Sequence, residues 1–378
     1  MIKIIQITTL KSSFKSETNE KKIQVLINIF FFTFLFFILI NIFISISWKF
    51  YNNFKFSNYN PFPKIVRSNF KLNDKEQSTL FKNTHQMKFY FQGFVGPLPT
   101  DFKSEYVNYK KTEGRKTFND KINCEKKIVF FGGSTTFGWL SVDEKTIPSF
   151  FSKHLNNNDT NYCIFNYGSP WFYSQQENNL LINLIDRKII KPDIAIFIDG
   201  VNERCNGFTY EKNLRKQFNE IMVDHRTEII NKKISPLIRS LPIYQLFDRM
   251  VNKRSAQFEI LQDNISCNKK ELTKLFQSRL ELRLKICENY NVQCVSFLQP
   301  FGGLHGNSYY IKKKLKEDHR NMYDAFKKLP GDLIINIADS LDNDESEISY
   351  VDFLHYSHSS NDLISKKILS ILTKLNKI

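Results

Sequence analysis

From Ile23 to Trp48 the chain carries no charged residue, and this run constrains what the sequence can fold into more than any other feature. At 1.5 Å rise per residue, about 20 apolar residues cross the roughly 30 Å of hydrocarbon in a bilayer, so a helix here is long enough to span one. A core helix of a globular domain would keep a polar face, and this stretch has none. Lys3, Lys11, Lys15, Lys21 and Lys22 precede it against only Glu17 and Glu20. That excess favours residues 1–22 staying in the cytoplasm and the remainder crossing to the outside, although Lys49, Lys55, Lys64 and Arg67 follow closely on the far side. Ser45 and Ser47 offer the small residues of a cleavable signal ahead of Trp48. Signal peptides, however, have apolar regions of only about 7–15 residues, so the expectation is an uncleaved signal anchor over 23–48.

At 378 residues and 42% hydrophobic, the chain as a whole is long enough to bury a sizeable core. Its formal charge of +16 raises the question of a nucleic-acid partner. The lysines are dispersed, with Lys312–Lys314 the tightest cluster, and an external domain would not meet nucleic acid. A solvated basic surface is expected instead. The six cysteines (Cys124, Cys163, Cys205, Cys267, Cys287, Cys294) form no C-x-x-C and pair with no histidine at zinc spacing, so neither a metal nor a cofactor is expected. Outside the cytoplasm an even count permits disulfides, but the spacing assigns no pairing. Cys163 and Cys294 lie in apolar runs and fit buried free thiols.

Residues 49–88, rich in Asn, Lys, Ser and aromatics and broken by Asn60-Pro61-Phe62-Pro63, read as a juxtamembrane linker. A domain is expected over 89–378. Lys127–Phe131, Tyr162–Asn166, Asp193–Ile198, Val292–Leu298 and Leu333–Ile337 are short apolar runs, the first three ending near glycines, with helix-compatible segments between them (about 144–155, 174–186, 270–288 and 312–328) and after them (361–375). Strands apolar on both faces, alternating with helices, predict a doubly wound α/β fold with a five-stranded parallel sheet, three layers deep in flavodoxin-like order. Chemistry in such sheets collects beyond the carboxyl ends of the strands. Residues 203–269, broken by Pro236 and Pro242, are too long for a crossover and read as an insertion able to roof that cleft.

Three groups of residues stand at those strand ends. Gly132-Gly133-Ser134-Thr135-Thr136 places a serine hydroxyl on a tight strand-to-helix turn. The turn lacks the lysine of a G-x-x-x-x-G-K-[ST] loop and the pattern G-x-G-x-x-G, so phosphate cradling is disfavoured. Asp352-Phe353-Leu354-His355 has the spacing that lets a carboxylate reach one imidazole nitrogen while the other faces a cleft, as a base that activates a serine requires. His358 is read as a solvated neighbour. Gly168 can offer a backbone N–H, and Asn202 a side-chain amide, to a developing oxyanion. Gln299-Pro300-Phe301-Gly302-Gly303 follows the fourth strand and is placed along the cleft, with His305 beyond it on a surface loop.

In this order the blocks resemble the SGNH (GDSL-like) hydrolase family. Gly132–Ser134 looks like its Gly-Asp-Ser block, Gly168 like its glycine, Gly200-Val201-Asn202-Glu203 like its Gly-x-Asn-Asp block and Asp352–His355 like its Asp-x-x-His block. Gly133 stands where the family has Asp, and Glu203 where it has a second Asp. The resemblance implies a catalytic Ser134, Asp352 and His355, an oxyanion hole from Ser134, Gly168 and Asn202, and a serine esterase needing no cofactor. Its substrate would be an acylated glycan or lipid. The Gly-Gly-Ser-Thr-Thr variant behind an anchor looks like members associated with cell-surface glycans. Transfer of the acyl group to a polysaccharide, or an inactive binding module on the same fold, are the alternative readings.

Overall fold

In the computed structural model the described residues are 2–58, 72–118, 124–156, 162–203, 241–243, 269–302, 304–305, 313–342 and 348–378. The chain forms two compact units, residues 1–55 with 208–264 and residues 56–207 with 265–378. The expected insertion falls almost wholly outside the described residues.

In the first unit, helix α1 (Ile2–Asn58) contains a 30-residue apolar stretch, Lys21–Phe50, long and apolar enough to cross a membrane. Its one buried polar side chain among the described residues, Asn41, donates to the Phe37 carbonyl at 2.8 Å and accepts from the Ile243 N–H at 3.1 Å. An amide in an apolar helix needs such partners.

The second unit opens earlier than the expected boundary at 89. Helix α2 (Asp74–Gln86) begins inside the stretch read as linker. Asn73 and Glu76 form a reciprocal capping box, with bonds of 3.0 and 2.8 Å. One apolar anchor, Leu80, is fully buried in a cluster with Val107, Tyr109, Phe137, Leu140 and Val351. An antiparallel hairpin, β1 (Phe89–Gln92) and β2 (Gly96–Pro99), follows.

Among the described residues the main sheet has seven strands, two more than the expected five. Five parallel strands form its body: β5 (Lys126–Gly132), β6 (Tyr162–Asn166), β7 (Ile194–Asp199), β8 (Gln293–Leu298) and β9 (Ile335–Asn336). They stand in the order β6-β5-β7-β8-β9, which is the flavodoxin-like order 2-1-3-4-5. The additions are β3 (Tyr109–Lys110), antiparallel to β4 (Gly114–Arg115), which itself pairs with β6. Two-residue strands carry no periodicity, so the sequence offers no pattern for β3 and β4.

The side chains of β5 explain the two-sided cover. Ile128 and Phe130 enter one core with Phe151 of α4 (Ile147–Asn156) and Ile368 of α8 (His358–Lys374). Val129 and Phe131 enter the other with Leu180 and Leu184 of α5 (Ser174–Asp186) and Cys287 of α6 (Lys269–Tyr290). Full burial of each large apolar side chain is worth roughly 1.5–3 kcal/mol. Helix α7 (Lys313–Phe326) contributes Tyr323 and Phe326 to a further cluster at the β8 edge.

Cys124 is bonded to Cys163 and Cys287 to Cys294, with Cα–Cα separations of 5.7 and 6.0 Å. Cys163 and Cys294 are therefore not free thiols. An apolar run is as good a seat for a buried disulfide as for a thiol, and the partners could not be read from spacing.

Candidate active site

Strand β5 ends at the switch point of the sheet, with β6 on one side and β7 on the other, and the chain turns at once into the short helix α3 (Ser134–Phe137). Ser134 is its first residue, where backbone N–H groups have no acceptor within the helix. Gly133 is required by what lies against it. A Cβ there would strike the Asn202 side-chain nitrogen and stand 3.2 Å from the Phe172 carbonyl. The glycine thus lets the Asn202 amide close on the residue next to Ser134.

A buried guanidinium fastens the far end of the turn. Arg115, 1% exposed, donates from Nη1 to the carbonyls of Phe137 (2.8 Å) and Gly138 (2.6 Å), from Nη2 to that of Ser141, and from Nε to Asp143 Oδ1 at 3.0 Å. Sequence reading did not find this residue, because an isolated arginine beside a glycine carries no signal of burial.

Asp352 and His355 arrive on the loop before α8. Asp352 Oδ1 accepts the backbone N–H groups of Leu354 (2.8 Å) and His355 (2.7 Å), and Oδ2 faces His355 Nδ1 at 2.6 Å. A carboxylate can only accept, so Nδ1 carries the hydrogen and Nε2 is left as the acceptor. His355 Nε2 lies 2.9 Å from Ser134 Oγ. The three residues, 221 positions apart at the extremes of that contact, stand in hydrogen-bonding order. Burial by itself would raise the Asp352 carboxyl, but the His355 ring and the two N–H groups hold it below the ordinary range.

The Gly168 N–H, expected at the oxyanion hole, donates to Asn166 Oδ1 at 3.0 Å in this structure. Gly168 also permits close packing: a Cβ there would lie 2.8 Å from the Thr136 carbonyl carbon and strike the Phe137 nitrogen. Asn202 Nδ2 donates one hydrogen to the Phe172 carbonyl at 2.8 Å.

Behind Asn202 lies a buried ionic network. Glu203 accepts from the Ser174 N–H (2.8 Å), the Ser174 hydroxyl (2.9 Å) and Arg279 (3.0 Å). One turn along α6, Arg283 binds Asp199 (2.5 and 3.1 Å), Glu177 (3.2 Å) and the Ser296 hydroxyl (2.8 Å). Three carboxylates thus share two guanidinium groups out of water. Burial, then the neighbouring Asp199, pushes Glu177 well above the usual carboxyl range, and the same two causes raise Glu203.

Two flanking histidines differ from expectation. His358, read as solvated, is buried at the start of α8. His305, read as lying on a surface loop, is also buried, with Nδ1 3.2 Å from Asp342 and 3.4 Å from Asp339. These three could offer one ligand atom each to a metal. Lys327 Nζ already stands 2.7 Å from Asp339, so the acidic charge there is met by an ammonium. Gln299 joins the site, accepting from the Thr135 hydroxyl at 2.6 Å.

No family model matches the chain, and no curated protein is similar to it in sequence. Among solved structures it is similar to the acetyl xylan esterase AlAXEase, at 13% identity and a TM-score of 0.39 over 65% of this chain and 99% of that one. It is also similar to a G-D-S-L family lipolytic protein from Veillonella parvula, at 11% identity and a TM-score of 0.39 over 65% and 98%. A third is the esterase EstA from Pseudoalteromonas sp., at 11% identity and 0.36 over 67% and 100%. With its serine block after β5 and its asparagine block after β7, on a doubly wound sheet, this chain resembles the SGNH (GDSL-like) hydrolases.

Proposed function

We propose that the protein is a membrane-anchored SGNH-type serine hydrolase, an esterase that removes acyl groups such as acetyl from a cell-surface glycan or lipid. The observation that carries this reading is the chain of contacts Asp352–His355–Ser134, at 2.6 and 2.9 Å. A serine is a nucleophile only when a correctly oriented base takes its proton.

In the proposed reaction His355 Nε2 takes the Ser134 hydroxyl proton as Oγ attacks the ester carbonyl carbon. The oxyanion receives hydrogen bonds from the Ser134 N–H and the Asn202 amide. The C–O bond to the alcohol then breaks, and the alcohol leaves with the proton from Nε2. Water, deprotonated by the same nitrogen, attacks the acyl-serine, releases the carboxylic acid and restores Ser134. If a sugar hydroxyl takes the place of water, the same steps transfer the acyl group.

In this reading the helix over 23–48 is a signal anchor, with the N-terminus in the cytoplasm and the catalytic unit outside. The Cys124–Cys163 and Cys287–Cys294 disulfides support an oxidising compartment for that unit. The test is hydrolysis of a short-chain ester by the full chain in detergent micelles. Ser134→Ala is expected to lower kcat by at least about 10³-fold, in line with the loss of other triad members. A variant as active as the wild type would overturn the reading.

A further inference from the structure

Around the His355 imidazole stands a set of rings that the proposed chemistry does not use. The Trp139 ring centroid lies 6.4 Å from that of His355, 6.4 Å from that of Trp171 and 5.5 Å from that of His85. Trp171 in turn meets Phe89 edge-on at 5.4 Å. Four elements supply these side chains: α2, β1, the turn after α3 and the loop after β6.

Trp171 is the most informative member. Its backbone φ is +67°, a left-handed conformation that bulky residues rarely adopt and that costs of order 1–3 kcal/mol. The residue is 37% exposed, so part of its side chain stays open to solvent at this strained position. A partly exposed aromatic residue held at a strained position, one ring removed from the His355 imidazole, points to a ligand.

The location indicates which part of the substrate the ring meets. The alcohol leaves by taking the proton from His355 Nε2, so its carbon skeleton must lie beside the groups packed around that imidazole. The rings are tilted to one another by 35° to 69°, making an open shelf and not a parallel-walled slot. An alkyl chain gains by leaving water altogether, which a partly exposed shelf does not offer. A glycerol alcohol has no flat apolar face. A pyranose has one face of C–H bonds to lie on an indole and an edge of hydroxyls to remain in water.

We propose that Trp171 and Trp139 form a sugar-stacking subsite that receives the pyranose ring bearing the ester, so that the alcohol half of the substrate is a glycan. This rests on the serine-hydrolase reading for its orientation, but its binding test does not depend on catalysis.

Trp171→Gly removes the ring at a position whose backbone suits glycine, and should leave thermal stability equal or higher. The chain has three tryptophans, one of them Trp48 in the anchor, so intrinsic fluorescence reports the shelf above a constant background. Titration of the full-length Ser134→Ala protein in micelles with an unacylated glucose tetramer should quench fluorescence saturably. Adding Trp171→Gly should weaken that binding about tenfold, the range of a good aromatic contact, and Trp171→Phe should restore most of it.

In the active protein, the preference for methyl 6-O-acetylglucopyranoside over monoacetylglycerol, as a ratio of kcat/KM, should fall about tenfold in Trp171→Gly, through KM. No quenching by the tetramer, or an equal loss on both esters, would overturn the proposal. Quenching without any hydrolysis would support the sugar subsite while overturning the esterase reading.

Discussion

Asp352 accepts three hydrogen bonds, two of them from backbone N–H groups of its own loop and one from the His355 ring, and its lowered pKa has a consequence for activity. With its carboxyl held below the ordinary range, Asp352 should add no second proton to the acid limb of kcat/KM against pH, which is expected to have a slope of one. A slope of two would show that Asp352 titrates in the same range. The sign for stability follows from the same shift. A depressed carboxylate stabilises the fold above its unfolded pKa, and that contribution is lost as pH falls through the folded value. Asp352→Asn should leave the fold intact but lower kcat by about 10⁴-fold, because an amide can select the wrong imidazole tautomer. Assay of the purified variant against the same ester checks this. At this scale the sequence was most legible where function fixes spacing: the three-residue interval between Asp352 and His355, and the glycine beside Ser134. It was least legible for Gly168, because only a fold shows that Asn166, two residues earlier, occupies its N–H.

The elements most exposed to test are α2 and α6. Leu80 is the apolar anchor of α2 and is fully buried, so Leu80→Ala should cost about 2–5 kcal/mol. An exposed linker would register almost nothing, and denaturant unfolding distinguishes the two. Helix α2 escaped sequence reading because it is polar apart from Leu80 and Phe81 and follows a Pro-rich stretch. Its capping box was the signal that could have found it. On α6, Arg283→Met would leave Asp199 and Glu177 buried without their cation, at a cost of about 3–5 kcal/mol. Glu177 behaves oppositely to Asp352. With its pKa raised in the fold, its contribution is present below the unfolded value and is lost as pH rises through the folded one. Melting temperatures measured from pH 5 to 9 should therefore fall less steeply in Glu177→Gln than in the wild type. Strands β5 to β8 were legible because both faces of each carry apolar residues. The β3–β4 extension, two residues per strand, offered no pattern to read.

For the whole molecule, the proposed anchor and the disulfides bear on one question, the side of the membrane on which the proposed catalytic unit would lie. The disulfides close loops of 39 and 7 residues. In the chain-entropy account they stabilise by about 4 and about 2 kcal/mol, so Cys124→Ser should destabilise more than Cys294→Ser. Non-reducing peptide mapping of the full chain checks the pairing itself. Long-range pairing was hidden from the sequence for the same reason as the Trp139–Trp171 shelf: the partners meet only through the order of the strands. One experiment addresses the proposed catalytic centre directly. The full chain in detergent micelles is treated with a fluorophosphonate probe, which reacts only with an activated serine, and the labelled peptide is identified by mass spectrometry. The account predicts a label on Ser134 in the wild type, none in Ser134→Ala and at most a trace in His355→Ala. A folded wild type that takes no label, or takes it on another serine, would contradict it.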